Sequence, residues 1–449
     1  MKVKSEVRRG KVRGESEFLG MKRVNFISLG CSKNLVDSEL LMKQFELAGY
    51  KVYADSDNPK ADVVVINTCG FIGDAKEESV NTILEQVALK EQGVVKKIFV
   101  MGCLSQRYKD ELLVEIPEVD GYYGKFDWTG IIEALNHTYN VECRNSRMLT
   151  TPSHYAYVKI SEGCNRKCSY CAIPMMTGEH KSRPMEEIVE ECKELAANGV
   201  KELLVMAQDL TYYGIDLYGK NRLADLINAL ADIQGIEWIK LHYAYPAGFP
   251  MEILKVMRER SNVCKYLDIA LQHCSDNMLA KMRRGVTKAG LEELLTKIRQ
   301  EVPGIAIRTT LMTGHPGETT QDYLELKAFV KSQKFERLGV FPYSHEEGTY
   351  CDKNYTDDVP TVTKKRRAAT IMDIQRKLSL TRNEGLIGQT FKVIIDKKEG
   401  EYWVGRTEYD SPEVDPEVLI KSRKRLEIGG FYEVLITGAD EYDLYGEMR

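Results

Sequence analysis

Three closely spaced cysteines are the residues of this sequence best suited to chemistry. The segment SEGCNRKCSYCAIP contains Cys164, Cys168 and Cys171 in the spacing C-x3-C-x2-C. Thiolates at such short intervals commonly hold a metal ion or an iron–sulfur cluster. Both a closed zinc site and a closed four-iron cluster need four protein ligands, so the identity of a fourth ligand becomes the main question.

Two kinds of site fit this spacing. Three thiolates can bind three irons of a four-iron cluster and leave the fourth iron open to chelate S-adenosylmethionine (SAM). One-electron cleavage of SAM at such an iron produces a carbon radical. The alternative is a zinc site in which His154 or His180 supplies the fourth ligand. The spacing by itself leaves both possibilities open.

A second set of three cysteines is spread along the N-terminal region. Cys31, Cys69 and Cys103 occur in SLGCSKN, INTCGF and VMGCLSQ, each directly after a predicted strand. Because the carboxyl ends of parallel strands meet at one edge of a sheet, we expect these thiols to approach one another there. Glycines beside them (Gly30, Gly70 and Gly102) allow a close backbone approach. The pattern predicts a second site with three ligands, again suited to a four-iron cluster.

The remaining cysteines show no shared spacing, and we interpret them as ordinary thiols: Cys143, Cys192, Cys264, Cys274 and Cys351. Eleven cysteines without a signal peptide argue against a disulfide scaffold and for metal binding or catalysis in a reducing compartment. We therefore expect a cytoplasmic protein.

Composition excludes several classes of protein. The 449 residues carry a net charge of −4, which provides no overall attraction to nucleic acid or an anionic membrane. The sequence has no apolar run of roughly 18 residues, so no membrane helix is expected. The first 20 residues are basic and polar, lack the apolar core of a signal peptide and predict a flexible basic tail over 1–21. Met21 is a possible natural start.

Hydrophobic periodicity divides the rest of the chain into three regions. Strands and helices alternate over 22–145, which predicts a doubly wound parallel sheet. Six further β-α units over 150–383 fit an open six-stranded (β/α)6 barrel better than a closed barrel of eight. A charged helix over 364–384 leads to short strands and turns over 385–449, which predict a small antiparallel β-barrel.

Polar side chains end two strands of the predicted central barrel. Gln208 and Asp209 end the second strand, and Gln272 and His273 end the fourth. Chemistry in α/β barrels takes place at these strand ends, so the four side chains are candidates for SAM contact, with a plain polar rim as the alternative. His273 is either a proton relay or, more simply, a structural histidine.

The turn TGHPGE follows the fifth predicted strand. It is rich in glycine but lacks the lysine and hydroxyl residue of a phosphate-binding loop. Its Gly314 is a candidate for backbone contact to SAM, and a plain turn is the alternative.

These motifs together resemble the radical-SAM methylthiotransferases, and within them the RimO type. The resemblance extends from about Met21 to Arg449 and rests on SLGCSKNLVDSE, KISEGCNRKCSYCAIP, LDIALQHCSDNMLAKMRRG, GHPGET, FPYSHEEGT and ADEYDLYGE. Ser32, Lys33 and Asn34 differ from the tripeptide that usually follows the first cysteine in tRNA-modifying relatives. The chain departs from the family at Thr177, His315 and Pro416. None of these departures falls on the six cysteines.

The resemblance implies an N-terminal cluster domain, a central radical-SAM core and a C-terminal TRAM domain. It implies two [4Fe-4S] clusters, with SAM used both as methyl donor and as radical source. It also marks Tyr170, the aromatic residue before the third cysteine, as part of the SAM site. The implied substrate is an aspartate of the twelfth small-ribosomal-subunit protein, methylthiolated at its β-carbon, and the implied electron source is an external donor such as flavodoxin or ferredoxin.

The charge of the last region separates two classes of partner. Residues 391–449 contain nine Lys and Arg against fourteen Asp and Glu, a net charge of −5. Such a surface suits a basic ribosomal protein and argues against nucleic-acid binding through the TRAM domain. The run KSRKR (421–425) is the feature that favours nucleic acid. Two alternatives therefore stand beside the first hypothesis: tRNA adenosine as substrate, and a non-catalytic zinc-binding scaffold.

Overall fold

The computed structural model describes residues 22–56 and 61–449, so the predicted basic tail over 1–21 lies outside the described residues. The described chain forms two compact units. The first comprises the described residues of Met1–Gly30, Asp37–Cys69 and Glu77–Met148, and the second comprises Cys31–Val36, Gly70–Lys76 and Leu149–Arg449.

The N-terminal region forms the predicted parallel sheet. Its strands are β1 (Arg23–Ser28), β2 (Lys51–Ala54), β3 (Val63–Thr68), β4 (Lys97–Gly102) and β5 (Gly121–Tyr122). The helices of the same stretch are α1 (Ser32–Leu47), α2 (Gly73–Glu91), α3 (Cys103–Arg107), α4 (Lys109–Glu115) and α5 (Trp128–Glu133). The strand order is β2-β1-β3-β4-β5, and every neighbouring pair is parallel.

Both faces of this sheet are covered by apolar side chains, as expected of a doubly wound fold. Along β3, Val63 and Val65 face one core with Phe45 of α1, whereas Val64 and Ile66 face another with Ile83 of α2. All six residues of β3 are buried, in keeping with the apolar run of its first four residues. The sequence did not predict β2 and β5, since both are short strands at the edges of the sheet.

The central region contains a second parallel sheet. Its six strands are β6 (Tyr155–Lys159), β9 (Glu202–Met206), β10 (Trp238–Ala244), β11 (Val263–Ile269), β12 (Ala306–Thr313) and β13 (Arg337–Pro342); a small hairpin, β7 (Ser161–Glu162) with β8 (Lys181–Ser182), follows β6. The strands lie in chain order and all neighbouring pairs are parallel. The outermost strands, β6 and β13, do not pair, so the predicted open six-stranded barrel is confirmed.

The helices of the central region separate its strands, as parallel pairing requires, except for the last two, which follow β13. They are α6 (Ile173–Thr177), α7 (Met185–Ala197), α8 (Ile215–Tyr218), α9 (Leu223–Ala231), α10 (Glu252–Glu259), α11 (Asp276–Lys281), α12 (Lys288–Glu301), α13 (Thr320–Gln333), α14 (Tyr350–Asn354) and α15 (Thr361–Glu384). A 3-10 turn, Leu210–Tyr212, lies between β9 and α8. In the described part of the chain, no helix is both long and apolar enough to cross a membrane.

The last region closes into a barrel of five strands. They are β14 (Thr390–Glu399), β15 (Tyr402–Thr407), β16 (Val418–Lys421), β17 (Phe431–Ala439) and β18 (Leu444–Met448). The predicted barrel is confirmed with one difference, because β16 and β18 pair in parallel while the other neighbours are antiparallel. The sequence did not predict β18, which closes the barrel between β16 and β17.

Candidate active site

The cysteine loop leaves the carboxyl end of β6 and is held by main-chain hydrogen bonds. Cys164 N donates to Gly178 O at 3.1 Å, and Ser169 N donates to Met282 O at 3.1 Å. Gly163 has a φ of +68°, and a Cβ there would lie 2.0 Å from the carbonyl oxygen of Glu179. Only glycine fits that position, because the chain folds back on itself immediately before the first cysteine.

The three predicted ligands of this loop surround one cavity. Cys164, Cys168 and Cys171 all line a cavity of about 450 Å³, which Lys167 and Arg283 also line. All three thiols are partly accessible to solvent. The loop therefore brings the predicted ligands together at the strand end where barrel chemistry occurs.

The donor set of this loop is three thiols, and each cysteine of a four-iron cluster binds a different iron. Across residues 22–56 and 61–449, no three His, Cys, Asp or Glu side chains are placed as the ligands of one metal ion. Backbone and side-chain donors point at two of the sulfurs: Arg166 N at Cys164 Sγ (3.4 Å) and Arg284 Nη1 at Cys168 Sγ (3.1 Å).

The two histidines considered for a zinc site have other contacts. His154 Nε2 lies 2.7 Å from Asp396 Oδ1 of the C-terminal barrel. His180 Nε2 lies 3.1 Å from Ser182 Oγ, and its ring packs edge-on against Tyr212. Neither imidazole lines the cavity of the three cysteines.

Burial changes the acidity of the cysteine loop. Desolvation raises the pKa of Cys164 to about 11 and that of Cys171 to about 12, and the neighbouring Cys168 raises both further. These two thiols therefore keep their protons at neutral pH until a metal replaces them. Loading of a cluster must release protons and is favoured at higher pH.

A buried arginine connects the cysteine loop to two tyrosines. Arg284 is 3% exposed, and its Nη1 contacts both Cys168 Sγ and the hydroxyl of Tyr170, the latter at 3.2 Å. Its guanidinium lies 4.1 Å from the ring centroid of Tyr245, whose hydroxyl is 3.6 Å from the same sulfur. Sequence patterns did not identify Arg284 or Tyr245, since nothing in the spacing of MRRG or HYAYP indicates contact with a cysteine more than 70 residues away.

The second barrel strand supplies a support for the loop. Asp209 Oδ2 accepts a hydrogen bond from Arg166 Nε at 2.7 Å, and Asp209 Oδ1 accepts one from Thr211 N at 2.9 Å. Asp209 thus caps the 3-10 turn and orients the arginine between the first two cysteines. Gln208, one residue earlier, is half-buried beyond the end of β9.

The fourth and fifth strands end in a hydrogen-bonded network. His273 is fully buried, with Nδ1 accepting from Cys274 N at 2.9 Å and Nε2 lying 3.3 Å from Glu318 Oε1. These contacts fit the structural alternative for His273. Gly314 N donates to Glu318 Oε2 at 2.7 Å, so the main-chain donor of the predicted SAM contact is already engaged.

Gln272 has an unusual backbone conformation. Its φ is +71°, and its main chain bridges to β12 through Gln272 N to Thr310 O (2.8 Å) and Met312 N to Gln272 O (2.7 Å). A non-glycine residue in this region of φ is uncommon and is held there by the surrounding bonds. The half-buried side chain of Gln272 thereby takes a defined direction at the strand end.

Two departures from the family pattern are buried beside this site. His315 Nε2 lies 3.1 Å from Ser169 Oγ of the cysteine loop, and its Nδ1 lies 3.0 Å from Pro316 O. Thr177 Oγ1 donates a hydrogen bond to Ile173 O at 3.0 Å at the end of α6.

Cys351, predicted to be an ordinary thiol, packs with Tyr170 and accepts a hydrogen bond from Tyr343.

The N-terminal cysteines follow three adjacent strands. Cys31 lies between β1 and α1, Cys69 follows β3, and Cys103 begins α3 directly after β4. Gly102 has a φ of +100°, and a Cβ there would lie 2.4 Å from Asn67 Oδ1. The glycine before Cys103 is thus required by close main-chain packing. The ammonium of the buried Lys125 lies 3.9 Å from Cys103 Sγ.

The basic run of the C-terminal barrel borders a surface cavity. Arg423, Lys424 and Arg425 line a volume of about 1020 Å³ together with Trp403 and Tyr432. The positive charge of these three residues contrasts with the net negative charge of residues 391–449 as a whole. The prediction that this domain avoids nucleic acid stays a prediction.

Comparison with known proteins identifies the family. Residues 23–124 match the uncharacterized protein family UPF0004, residues 158–330 the radical SAM superfamily, and residues 387–448 the TRAM domain. The chain is 59% identical over 428 residues to the ribosomal protein uS12 methylthiotransferase RimO of Porphyromonas gingivalis, covering 95% of this chain and 99% of the relative.

The chain belongs to the RimO family of methylthiotransferases. The RimO proteins of Bacteroides thetaiotaomicron and Cytophaga hutchinsonii are 59% and 53% identical to it, each covering 95% of this chain and 98% of the relative. RimO membership confirms the prediction of a radical-SAM enzyme that uses SAM and [4Fe-4S] clusters, and it contradicts the zinc-scaffold alternative.

Solved structures agree with this fold at low sequence identity. The radical SAM methyltransferase TsrM of Kitasatospora setae, with cobalamin and a [4Fe-4S] cluster bound, aligns with a TM-score of 0.55 and 13% identity over 74% of this chain and 77% of TsrM. The radical enzyme OxsB aligns with a TM-score of 0.51 and 13% identity over 79% of this chain and 57% of OxsB. These similarities concern the fold alone.

Proposed function

We propose that this protein adds a methylthio group to the β-carbon of an aspartate in ribosomal protein uS12. The observation that carries this proposal is the 59% identity to RimO proteins over nearly the full length of both chains, with all three cysteines of the loop around one cavity. The chemistry supports it as well. The hydrogen on the β-carbon is too weakly acidic for a histidine or carboxylate base to remove it as a proton. A radical is therefore required to remove it as a hydrogen atom.

The six cysteines divide into two proposed ligand sets. Cys164, Cys168 and Cys171 would hold the cluster of the radical-SAM core. When bound, that cluster supplies the electron that cleaves SAM. The second set, Cys31, Cys69 and Cys103, would hold the cluster associated with sulfur transfer. Its support is the position of each thiol after one of three adjacent strands.

Four further residues are proposed to contact SAM. Tyr170 lies between two of the cysteines in the loop, and Gln208 and Gln272 lie half-buried after β9 and β11, two strands on either side of β10. Gly314 remains a proposed contact, though its N–H is bonded to Glu318. The chain's own groups orient this site: Asp209 holds Arg166 and thereby the start of the loop.

The partners and location follow from the proposed substrate. A basic ribosomal protein complements the net charge of −5 on residues 391–449. The same negative charge would repel tRNA and so argues against tRNA adenosine as the substrate. An external donor such as flavodoxin or ferredoxin would reduce the clusters. We place the protein in the cytoplasm, where small-subunit proteins are made and assembled.

Intact-protein mass spectrometry of small-subunit ribosomal proteins tests the proposal. Three strains are compared: one with the wild-type gene, one without the gene, and one that produces Cys168→Ala. We expect uS12 to carry the mass of an added methylthio group in the wild type only. If uS12 has the same mass in all three strains, the proposal is wrong, and analysis of tRNA nucleosides then tests the adenosine alternative.

A further inference from the structure

We propose that Arg284 sets the reduction potential of the cluster bound by the cysteine loop, through a direct hydrogen bond to the sulfur of Cys168. Arg284 is a positioning and tuning residue in this proposal, because it acts on the cluster through the sulfur of Cys168. The inference rests on the proposed function, in which Cys168 is a cluster ligand.

The first argument is the direction of the guanidinium. Arg284 Nη1 donates to Cys168 Sγ at 3.1 Å, a short distance for an N–H to sulfur bond. Nη2 of the same group donates to the carbonyl oxygen of Ala270, which follows β11. Because its two terminal nitrogens bond to different acceptors, the planar guanidinium group of Arg284 has little freedom to rotate away from the sulfur.

The second argument is the absence of a carboxylate partner for a fully enclosed cation. The described contacts of the Arg284 side chain are to Cys168, Tyr170, Ala270 and the ring of Tyr245, and its buried Nε has no hydrogen-bond partner there. Buried arginines usually pair with a carboxylate, because an isolated charge loses its hydration. A thiolate at Cys168 would supply the missing negative charge.

The third argument is the aromatic wall that holds the arginine. The ring of Tyr245 lies 4.1 Å from the guanidinium carbon of Arg284, and its hydroxyl donates to the carbonyl oxygen of Arg284 at 3.0 Å. The same hydroxyl is 3.6 Å from Cys168 Sγ. Tyr245 therefore fixes both the main chain and the side chain of Arg284 beside the sulfur.

The expected consequence is electrostatic. Reduction adds an electron to the cluster, and part of that charge is carried by the cysteine sulfurs. A cationic donor at one sulfur stabilises the reduced form more than the oxidised form and so raises the potential. The effect is large at this position because the contact is buried, where water screens charges poorly. A cluster with a higher potential accepts an electron more readily from an external donor.

The test is a redox titration of the full-length, anaerobically reconstituted enzyme. Electron paramagnetic resonance follows the reduced cluster whose signal changes when SAM is added. At the wild-type midpoint potential, we expect Arg284→Gln to lower the ratio of reduced to oxidised cluster about tenfold, the equivalent of one charge-assisted hydrogen bond. Arg258→Gln is the matched control, since it removes the same charge at an exposed position of α10 outside the cavity of the three cysteines, and it should change the ratio by no more than about twofold.

A gentler variant keeps the test informative if Arg284→Gln loads no iron. Tyr245→Phe preserves the ring and removes only the hydroxyl that contacts Arg284 and Cys168, and it should lower the ratio in the same direction by a smaller factor. A wild-type ratio in whichever of these two variants retains the cluster would overturn the inference.

Cys168→Ala separates this inference from the proposed function beneath it. If the SAM-responsive signal persists in Cys168→Ala, the ligand assignment is wrong and the inference falls with it. If the signal disappears in Cys168→Ala but the Arg284 and Tyr245 variants titrate like the wild type, only the tuning role is refuted.

Discussion

Arg406 of the C-terminal barrel forms a buried, two-pronged ion pair with Glu202 of strand β9. Arg406 Nη2 lies 2.8 Å from Glu202 Oε2, and Nη1 lies 3.1 Å from Oε1. Lys240 of β10 donates to the same carboxylate at 2.6 Å, and Asp396 of β14 accepts from Arg406 Nε at 2.6 Å. The C-terminal barrel is thus joined to the six-stranded sheet by a network of two anions and two cations.

Replacement of Glu202 by glutamine should destabilise the protein by about 3 kcal/mol or more. The substitution leaves Lys240 without its carboxylate and Arg406 with Asp396 alone, and uncompensated buried charge is costly. Urea denaturation followed by tryptophan fluorescence measures the effect, because Trp238 packs against Phe431 at this junction.

Glu237→Gln is the matched control for that measurement. Glu237 pairs with Lys392 at 3.0 Å across the same junction, but both side chains are about half exposed. Surface pairs of this kind contribute roughly 0–1 kcal/mol. Equal losses in Glu202→Gln and Glu237→Gln would contradict the importance of the buried network.

The same network predicts a dependence of stability on pH. Burial alone raises the pKa of Glu202, but Arg406 and Lys240 outweigh it and lower that pKa to about 2; Arg406 and His154 likewise lower the pKa of Asp396 to about 2. Since both folded-state values lie below the unfolded ones, the stabilisation is present above about pH 4.5 and is lost as the pH falls toward 2. Melting temperature should drop between about pH 4.5 and about pH 2, and the drop should be shallower in Glu202→Gln.

Gly163→Ala should disrupt the cysteine loop, whereas Gly178→Ala should be tolerated better. Both glycines have φ near +70°, but a Cβ at Gly163 would lie 2.0 Å from Glu179 O, while none of the described atoms lies within 4 Å of one at Gly178. The backbone conformation alone costs an alanine about 1–3 kcal/mol, since Gly178, with a ψ of −159°, lies in a region essentially restricted to glycine. Iron content after reconstitution measures the result: Gly163→Ala should lose one cluster per chain. Equal iron in both variants would mean that the loop adapts.

Alanine at Cys171 should remove one cluster and abolish SAM cleavage. The remaining two thiols of the loop cannot hold three irons, so iron and acid-labile sulfide per chain should fall by about half. Cys143→Ala, at a half-buried cysteine outside both sets, serves as the control and should keep the wild-type content. If Cys171→Ala retains full iron and activity, Cys171 is not a ligand.

Alanine at Cys69 should separate the two proposed clusters functionally. We expect production of 5′-deoxyadenosine from SAM to continue, because the cysteine loop is intact, while methylthiolation of uS12 stops. Chromatography of the nucleoside products and mass spectrometry of uS12 from the same reaction measure both results. Loss of both activities in a folded variant, judged by its circular dichroism, would argue against a division of roles.

Much of this protein could be predicted from the sequence. Local periodicity determines the order of strands and helices, because parallel strands buried on both faces must be continuously apolar and are separated by amphipathic helices. The short edge strands Lys51–Ala54 and Gly121–Tyr122 escaped prediction, since they are only partly buried and depend on their neighbours for pairing. The spacing of Cys164, Cys168 and Cys171 was sufficient to predict a shared site, because one loop carries all three.

Only the tertiary structure decided which distant residues surround that site. Tyr245 follows strand β10 and Arg284 lies between α11 and α12, both more than 70 residues from Cys168 along the chain, and no periodic pattern records such a contact. The same holds for Arg406 and Glu202, which are 204 residues apart. Local sequence specifies which way a side chain faces on its own strand or helix, whereas the pairing of charges depends on how those elements pack together.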